Sequence, residues 1–522
     1  MTTHVDRPRI EQEVKEYYRY ATFSHKWEAD EPLFDKVMNI VVFDLEDSPT
    51  HDKLQTFCKI VREAGFHWAW SDTCCINKSD HFVLQEALVA MFKWYEGSSL
   101  TIIFLRGVRT PAQRGDLVRS IWNTRAWTFQ EYHASKVVRF YTEDWKPYLN
   151  LDISNHKDSP EIISEMEEAT GISVQALMAL RPGLDDVREK LCLASKRETT
   201  FVEDTAYSLL GIFSVSLPVV YGEGDRSFGR LLAQLLASSG DTRILAWTGR
   251  SSSFNSCLPS HISVFSQLPT THIPPVIERA EMDVMAARLH ASALDFTLAL
   301  KLHDRLNELP VPSFAGRRMK LPCITFKLGP LSVSRSASEY VFRAQTTALG
   351  IVAIRTKENL SRLGSLYLTH PWIDFLLDRR PVGSFTETAS TYEESIDYRF
   401  SSIGDLPSFP GPPNTTSAIP HTQFIVPSRE SFHRPLPAIP PQYSDVASLR
   451  PPSSLSPRDK EMQALRLVAR LRQPFGALLL TPNLGNAYSR IAVESLITVQ
   501  VEGITPTILN KLVDGVHILD VL

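Results

Sequence analysis

Apolar positions in the first half of the chain switch repeatedly between the spacing of a strand and that of a helix. Residues 17–24 are rich in aromatic and β-branched side chains and stop at the polar cluster Ser24-His25-Lys26, as a strand feeding a loop does. Leu54, Phe57, Cys58 and Val61 then recur at three and four residues and end before Gly65, which predicts an amphipathic helix with a glycine stop. Residues 66–71 read as a second strand, and Leu84, Leu88, Met91 and Tyr95 as a second helical stripe ending near Gly97. The run 100–105 is apolar almost throughout, as expected of a strand buried on both faces. A helix around Glu131 and a fourth strand over 136–141 follow. This β-α-β-α-β-α-β order predicts an α/β domain over 1–250, built on a doubly wound, mostly parallel sheet with right-handed crossovers.

Beyond Trp247 the texture changes. In 294–301, Leu294, Phe296, Leu298 and Leu300 alternate with smaller or polar residues, the period of a half-buried strand. Further strands are expected over 321–327, 349–354 and 365–368, making 251–400 the first part of a mostly β domain. Residues 401–460 hold 13 of the 34 prolines, with many serines, and read as a disordered insertion. Runs at 475–480, 491–501 and 516–522 look like strands through which 461–522 completes the β domain. No chemistry is legible in this half.

Composition narrows the function. With 522 residues, 43% apolar and 22% charged, the chain is a globular protein of two or three units. A net charge of −4 without a long basic run excludes the footprint of a nucleic-acid binder. The N-terminus enters a charged segment without an apolar signal region, and no apolar run reaches the ~18 residues of a membrane span, so a cytoplasmic chain is expected. Six scattered cysteines suit free thiols in a reducing compartment, and adjacent Cys74 and Cys75 lack the spacing of a zinc site, so no metal is expected.

In a doubly wound sheet ligands sit beyond the carboxyl ends of the strands. That rule selects Ser24, His25 and Trp27 after strand one, Asp72 and Cys74 after strand two, and Arg106 after strand three, with Arg125 and Glu131 on the next connection. Trp127 lies four residues before Glu131, so on a helix its indole would wall one side of the acid. Ser24 and Asp72 equally suit caps of helices or turns, His25 a solvated loop, and the tryptophans packing. No glycine-rich phosphate loop follows strand one, so no permanently bound dinucleotide is expected. Gly222-Glu223-Gly224, before the apolar helix face of Phe228, Leu231, Leu232, Leu235 and Leu236, reads as a structural turn, because Glu223 would repel an anion there.

Taken together, the segments 20–27 (YATFSHKW), 67–78 (HWAWSDTCCINK), 91–95 (MFKWY), 122–131 (WNTRAWTFQE), 203–211 (EDTAYSLLG) and 221–224 (YGEG) resemble the fungal heterokaryon-incompatibility (HET) domain family. The resemblance implies a role in non-self recognition and the programmed cell death that follows fusion of incompatible hyphae. It also implies a TIR-like, flavodoxin-like core. In NAD-cleaving TIR domains a catalytic glutamate follows a tryptophan on a helix, and Glu131 after Trp127 is similar to it. On that reading NAD is the substrate, Glu131 stabilises positive charge developing on the ribose, Trp27 or Trp127 stacks on a ring, and Arg125 neutralises phosphate. Ser24, His25, Asp72 and Cys74 complete the expected binding edge. Two positions depart from the family pattern, Glu28 for a common glycine and Lys78 for a common glutamine. The alternative is a non-catalytic, self-associating signalling module that answers to a protein trigger. A third reading, a cysteine hydrolase using Cys74 or Cys75 with His25 and Asp72, has nothing that fixes the pair in hydrogen-bond reach.

Overall fold

The computed structural model describes residues 7–171, 173–174, 177, 180–266, 284, 287–288, 296–335, 340–346, 350–356, 360, 366–370, 423–424, 457–471, 475–483, 485–493, 497–499 and 506–522. Strands β1 (Tyr20–His25), β2 (Trp68–Ser71), β3 (Leu100–Phe104) and β4 (Val138–Tyr141) form an all-parallel array in the order β2-β1-β3-β4. All positions of β3 are buried, as its apolar run requires between two helical layers.

Helices of this half that bear on the argument are α1 (Arg7–Tyr17), α2 (Pro49–Glu63), α3 (His81–Gly97), α4 (Trp127–Ala134), α5 (Val187–Ala194) and α6 (Arg226–Ser239). Local chemistry sets their starts. Ser48 caps α2 by accepting from the His51 amide at 3.2 Å, with Pro49 in the first turn, and Asp80 caps α3 by accepting from Phe82 and Val83 at 2.9 and 3.3 Å. The strand order reverses once, between β1 and β3, so right-handed crossovers put α2 on one face and α3 and α4 on the other. Alternation along β1 matches. Phe23 turns to the α2 face and stacks on Phe57 at 4.4 Å, whereas Thr22 and Ser24 turn to the opposite face. The expected first strand begins later than its aromatic run, because Tyr17 and Tyr18 leave α1 to stack on His67 and Trp68.

The second half is mostly β. Its strands are β5 (Ser313–Ala315), β6 (Arg318–Arg335), β7 (Tyr340–Thr346), β8 (Gly350–Thr356) and β9 (Tyr367–His370), followed, after β10 (Gln423–Phe424), by β11 (Phe475–Pro482), β12 (Tyr488–Arg490), β13 (Ile497–Val499) and β14 (Val516–Val521). The pairings β6-β14, β14-β12, β12-β11, β11-β9 and β9-β6 close a ring, giving the sheet a barrel-like form. Helices α7 (Phe296–Asn307), α8 (Pro457–Leu471) and α9 (Pro506–Asp514) pack on it around Leu302, Leu306, Leu465, Val468, Leu509 and Leu512.

Three expectations are corrected. The strand expected over 294–301 is replaced by α7 from Phe296 onward: Ala299, Leu302, His303 and Leu306 are its buried positions, a helical stripe that runs past the alternating window. The proline-rich insertion is not wholly without structure, since α8 starts at Pro457 and β10 adds in parallel to the edge of β2. The rest of 401–460 lies outside the described residues. Of the run 491–501, residues 497–499 form β13 and 491–493 are irregular, and the others lie outside the described residues.

One apolar cluster spans the two halves. Met319, Leu321, Cys323, Leu478, Leu480 and Val521 belong to the same apolar cluster as Phe23, Phe57 and Ile102. A polar seam reinforces it. The buried Arg490 guanidinium donates to the carbonyls of Leu245 (2.9 Å), Trp247 (2.7 Å) and Cys257 (3.4 Å) and lies 3.8 Å from the centre of the Trp247 ring.

Candidate functional site

Ser24, at the carboxyl end of β1, faces α4 and donates to Glu131 Oε2 at 2.5 Å while accepting from Trp122 Nε1 at 2.7 Å. The Tyr95 hydroxyl, donor to the Phe23 carbonyl at 2.9 Å, also adjoins the Glu131 carboxyl. Glu131 is 4% exposed. Burial, with the Asp72 charge adding to it, pushes its carboxyl up to about 8, against the hydrogen bonds of Ser24 and Tyr95 and the charge of Arg125. At neutral pH the acid therefore keeps its proton. It is a hydrogen-bonding group in this conformation and becomes a base only above that value. The indole beside it differs from the expected one. Trp122, on the turn Ile121–Thr124, reaches Ser24, whereas Trp127 hydrogen-bonds Asp204.

A second cluster follows β2. Trp27 Nε1 donates to Asp72 Oδ2 at 2.9 Å, and the Lys78 ammonium stands 3.5 Å over the Trp27 ring. Burial raises the Asp72 carboxyl, opposed by the charges of His25 and Lys78. His25 stacks on Phe23, and its Nε2 lies 3.5 Å from Glu31 Oε1, yet neither ring nitrogen has a hydrogen-bond partner among the described residues. Burial acts to raise the Glu31 carboxyl, but His25 and Lys53 outweigh it and hold it at about 2. Glu28 does not stand as a free charge beside this edge. It accepts from Lys53 at 3.2 Å and forms an ion pair with Arg106 at 3.4 Å, and Arg106 also pairs with Glu143 at 3.1 Å.

A third group joins α4 to the segment after α5. Arg125 Nη1 donates to Thr200 Oγ1 at 3.0 Å, and its charge acts on both Glu131 and Asp204. Arg197 is buried and donates to the Arg125 carbonyl (3.0 Å), Thr128 Oγ1 (2.9 Å) and Asn123 Oδ1 (3.1 Å). The motifs 203–211 and 221–224 lock onto each other: Glu203 Oε1 accepts from the amides of Gly222 (2.8 Å) and Gly224 (2.9 Å), Asp204 accepts from Tyr221 (2.8 Å), and Glu223 pairs with Arg230. Gly222-Glu223-Gly224 is thus the structural turn expected, its amides engaged within the chain. Gly211 closes the first motif because a Cβ there would stand 2.2 Å from Phe92 Cβ.

The structure brings Ser24 and Glu131 into contact, sets Asp72, His25 and Trp27 beside them, and ties Arg125 and Trp127 to Thr200 and Asp204 after α5. Cys74 stands apart from this chemistry. Its thiol is buried, with Sγ 3.9 Å from the Ser71 carbonyl, and burial holds the Cys75 thiol well above its ordinary value. Neither is exposed as the thiol of a nucleophile is. Sequence reasoning left Tyr95, Trp122, Glu31, Lys53 and Arg197 off the site. Tyr95 and Trp122 stand inside its quoted motifs, whereas no local pattern marks the other three. Among the described residues no group of three or more His, Cys, Asp or Glu could hold a metal ion, and no helix is long and apolar enough to cross a membrane.

Residues 20–116 match the family model of the heterokaryon incompatibility protein (HET). Ser24, His25, Trp27, Asp72 and Cys74 fall inside that stretch, and Glu131 lies beyond it. Over 219 residues the chain is 33% identical to the vegetative incompatibility protein HET-E-1 of Podospora anserina. That match takes in 39% of this chain and 15% of the relative, so the chain spans a small part of that protein's length. No solved structure matches the chain.

Proposed function

We propose, from the premise that this chain carries a heterokaryon incompatibility domain, that it acts in fungal non-self recognition and promotes cell death by cleaving NAD at Glu131. The observation that supports the chemistry is the Glu131 carboxyl at the carboxyl end of β1, held by Ser24 and Tyr95 and influenced by Arg125 and Asp72. A carboxyl shifted upward among convergent polar groups at a strand-order reversal supports this reading by position and by electrostatics. In the reaction the bond between ribose and nicotinamide breaks, and nicotinamide leaves neutral with the electron pair. Water adds to the ribose carbon and gives up its proton. Ionised Glu131 stabilises the cationic ribose between these events. Arg125 is the phosphate partner and Trp27 the stacking surface.

This chemistry needs the carboxylate form and an opened Glu131. Nicotinamide release is therefore expected to rise with pH through about 8 and to vanish in Glu131→Ala. The burial of Glu131 favours a second reading, a self-associating module in which the acid is a structural hub. Purified chain, wild type and Glu131→Ala, incubated with NAD at high protein concentration or under crowding, separates the two. Free nicotinamide from wild type alone supports the enzyme. Its absence from both folded proteins, with cell death intact in the Glu131→Ala strain, supports the module.

A further inference from the structure

Arg197 is a buried cation with no carboxylate paired to it among the described residues. Its three acceptors, two side-chain oxygens and a backbone carbonyl, are all neutral. Burial lowers its guanidinium to about 10, and Glu131 is the acid whose charge acts on it. Since Glu131 holds its proton at neutral pH, that countercharge is missing there. Besides its neutral acceptors it has only the face of the Phe129 ring, 5.2 Å away, so the charge lacks an anionic partner and is destabilising where it is buried.

Beside Arg197 lies a small cavity, also lined by Ala126, Thr199, Thr205, Ser208 and Leu209. Ser208 is buried, and its hydroxyl has no hydrogen-bond partner among the described residues. Thr199 and Thr205 add two hydroxyls whose mutual contact is long, 3.4 Å. Ala126 immediately precedes α4, so the positive end of that helix dipole also borders the space.

We propose that this cavity is a binding site for one small monovalent anion of halide size, chloride in solution, held by the charge of Arg197 and a hydrogen bond from Ser208. The cavity is too small for a phosphate ester or a nucleotide and admits one species about the size of water or slightly larger. Water would satisfy the Ser208 hydroxyl but leave the guanidinium uncompensated. A halide does both, and it joins the 197–208 segment to the N-terminus of the helix that carries Glu131. The site does not require Glu131 to act on NAD, although ionised Glu131 would return a countercharge to Arg197 and weaken anion binding.

The test is thermal unfolding of the full chain over a chloride series, with gluconate replacing chloride at constant ionic strength, for wild type and Ser208→Ala. Removing an unpartnered hydroxyl leaves the fold intact, so Ser208→Ala is the informative variant; Arg197 itself is needed by Asn123, Thr128 and Arg125. The wild-type midpoint is expected to rise with chloride and saturate. Ser208→Ala is expected to need at least about tenfold more chloride for the same rise, the loss of one hydrogen bond to a charged group. A crystal grown in bromide is expected to show an anomalous peak between Arg197 and Ser208. A midpoint indifferent to the anion, an identical chloride response in Ser208→Ala, or a water in that cavity under bromide would each overturn the proposal.

Discussion

Replacing Glu131 by Gln fixes the side chain in the shape and charge of its protonated form. The wild-type carboxyl has an ordinary value of 4.5 and is pushed up to about 8 in the fold. Between those values the folded chain keeps a proton that the unfolded chain has released, so stability falls as pH rises through this window. At 1.36 kcal/mol for each pH value, the interval from 4.5 to about 8 bounds the full loss at about 5 kcal/mol, of which about 4 falls between about pH 5 and pH 9. Glu131→Gln has no such proton to lose, and its amide oxygen still accepts from Ser24. The variant is therefore expected to match wild type within about 1 kcal/mol near pH 5 and to exceed it by several kcal/mol near pH 9. In thermal unfolding at about 2 °C per kcal/mol, the gap between the two midpoints opens by about 8 °C across that range. Taking the difference between the proteins cancels the titrating groups that do not sense Glu131, leaving Glu131 and the Asp72 carboxyl whose charge acts on it. A gap that stays constant with pH would refute a buried, neutral Glu131, and with it the expectation that NAD cleavage needs alkaline conditions or an opened site.

Arg490→Met keeps the side chain's bulk but removes its donors, leaving the Trp247 carbonyl without its partner while Leu245 keeps the Trp247 amide; a loss of about 1–3 kcal/mol is expected in denaturant unfolding, together with faster hydrogen exchange over 245–258. Glu203→Ala frees the amides of Gly222 and Gly224, and exchange at those two amides is expected to accelerate while stability drops by about 2 kcal/mol. Gly211→Ala places a Cβ 2.2 Å from Phe92, so soluble yield and unfolding midpoint are expected to fall together, with a cost of at least about 3 kcal/mol. Glu28→Gly, which restores the common family residue, is expected to change stability by less than about 1 kcal/mol in the same assay, because Lys53 retains Glu31 and Arg106 retains Glu143.

The parallel sheet was legible because each of its strands is a short run with its own punctuation, and buried β3 announces itself by having no polar face. The same method failed over 294–301. Eight residues fit both an alternating and a helical stripe, and the deciding positions, Leu302, His303 and Leu306, lie past the window. In the site, Ser24 and Glu131 stand 107 residues apart and were both selected by one rule, that ligands gather where parallel strands end. Their partners were harder. Which of two nearby tryptophans faces the acid depends on where the turn Ile121–Thr124 stops and α4 starts, a boundary that spacing alone does not locate. Lys53 and Glu31 meet only because α2 folds back over the loop after β1, and Arg197 enters from beyond α5, so no sequence neighbour hints at either.

The Arg490 seam has a meaning for how such genes recombine. In HET-E-1 of Podospora anserina the matching stretch is 15% of the protein, so there a similar module sits within a far longer chain. Here the Leu245, Trp247 and Cys257 carbonyls are answered by a guanidinium more than two hundred residues downstream. A breakpoint between the two halves would not release a finished cassette. It would hand the new downstream sequence an unfilled socket, and a surviving fusion would need to bring its own plug.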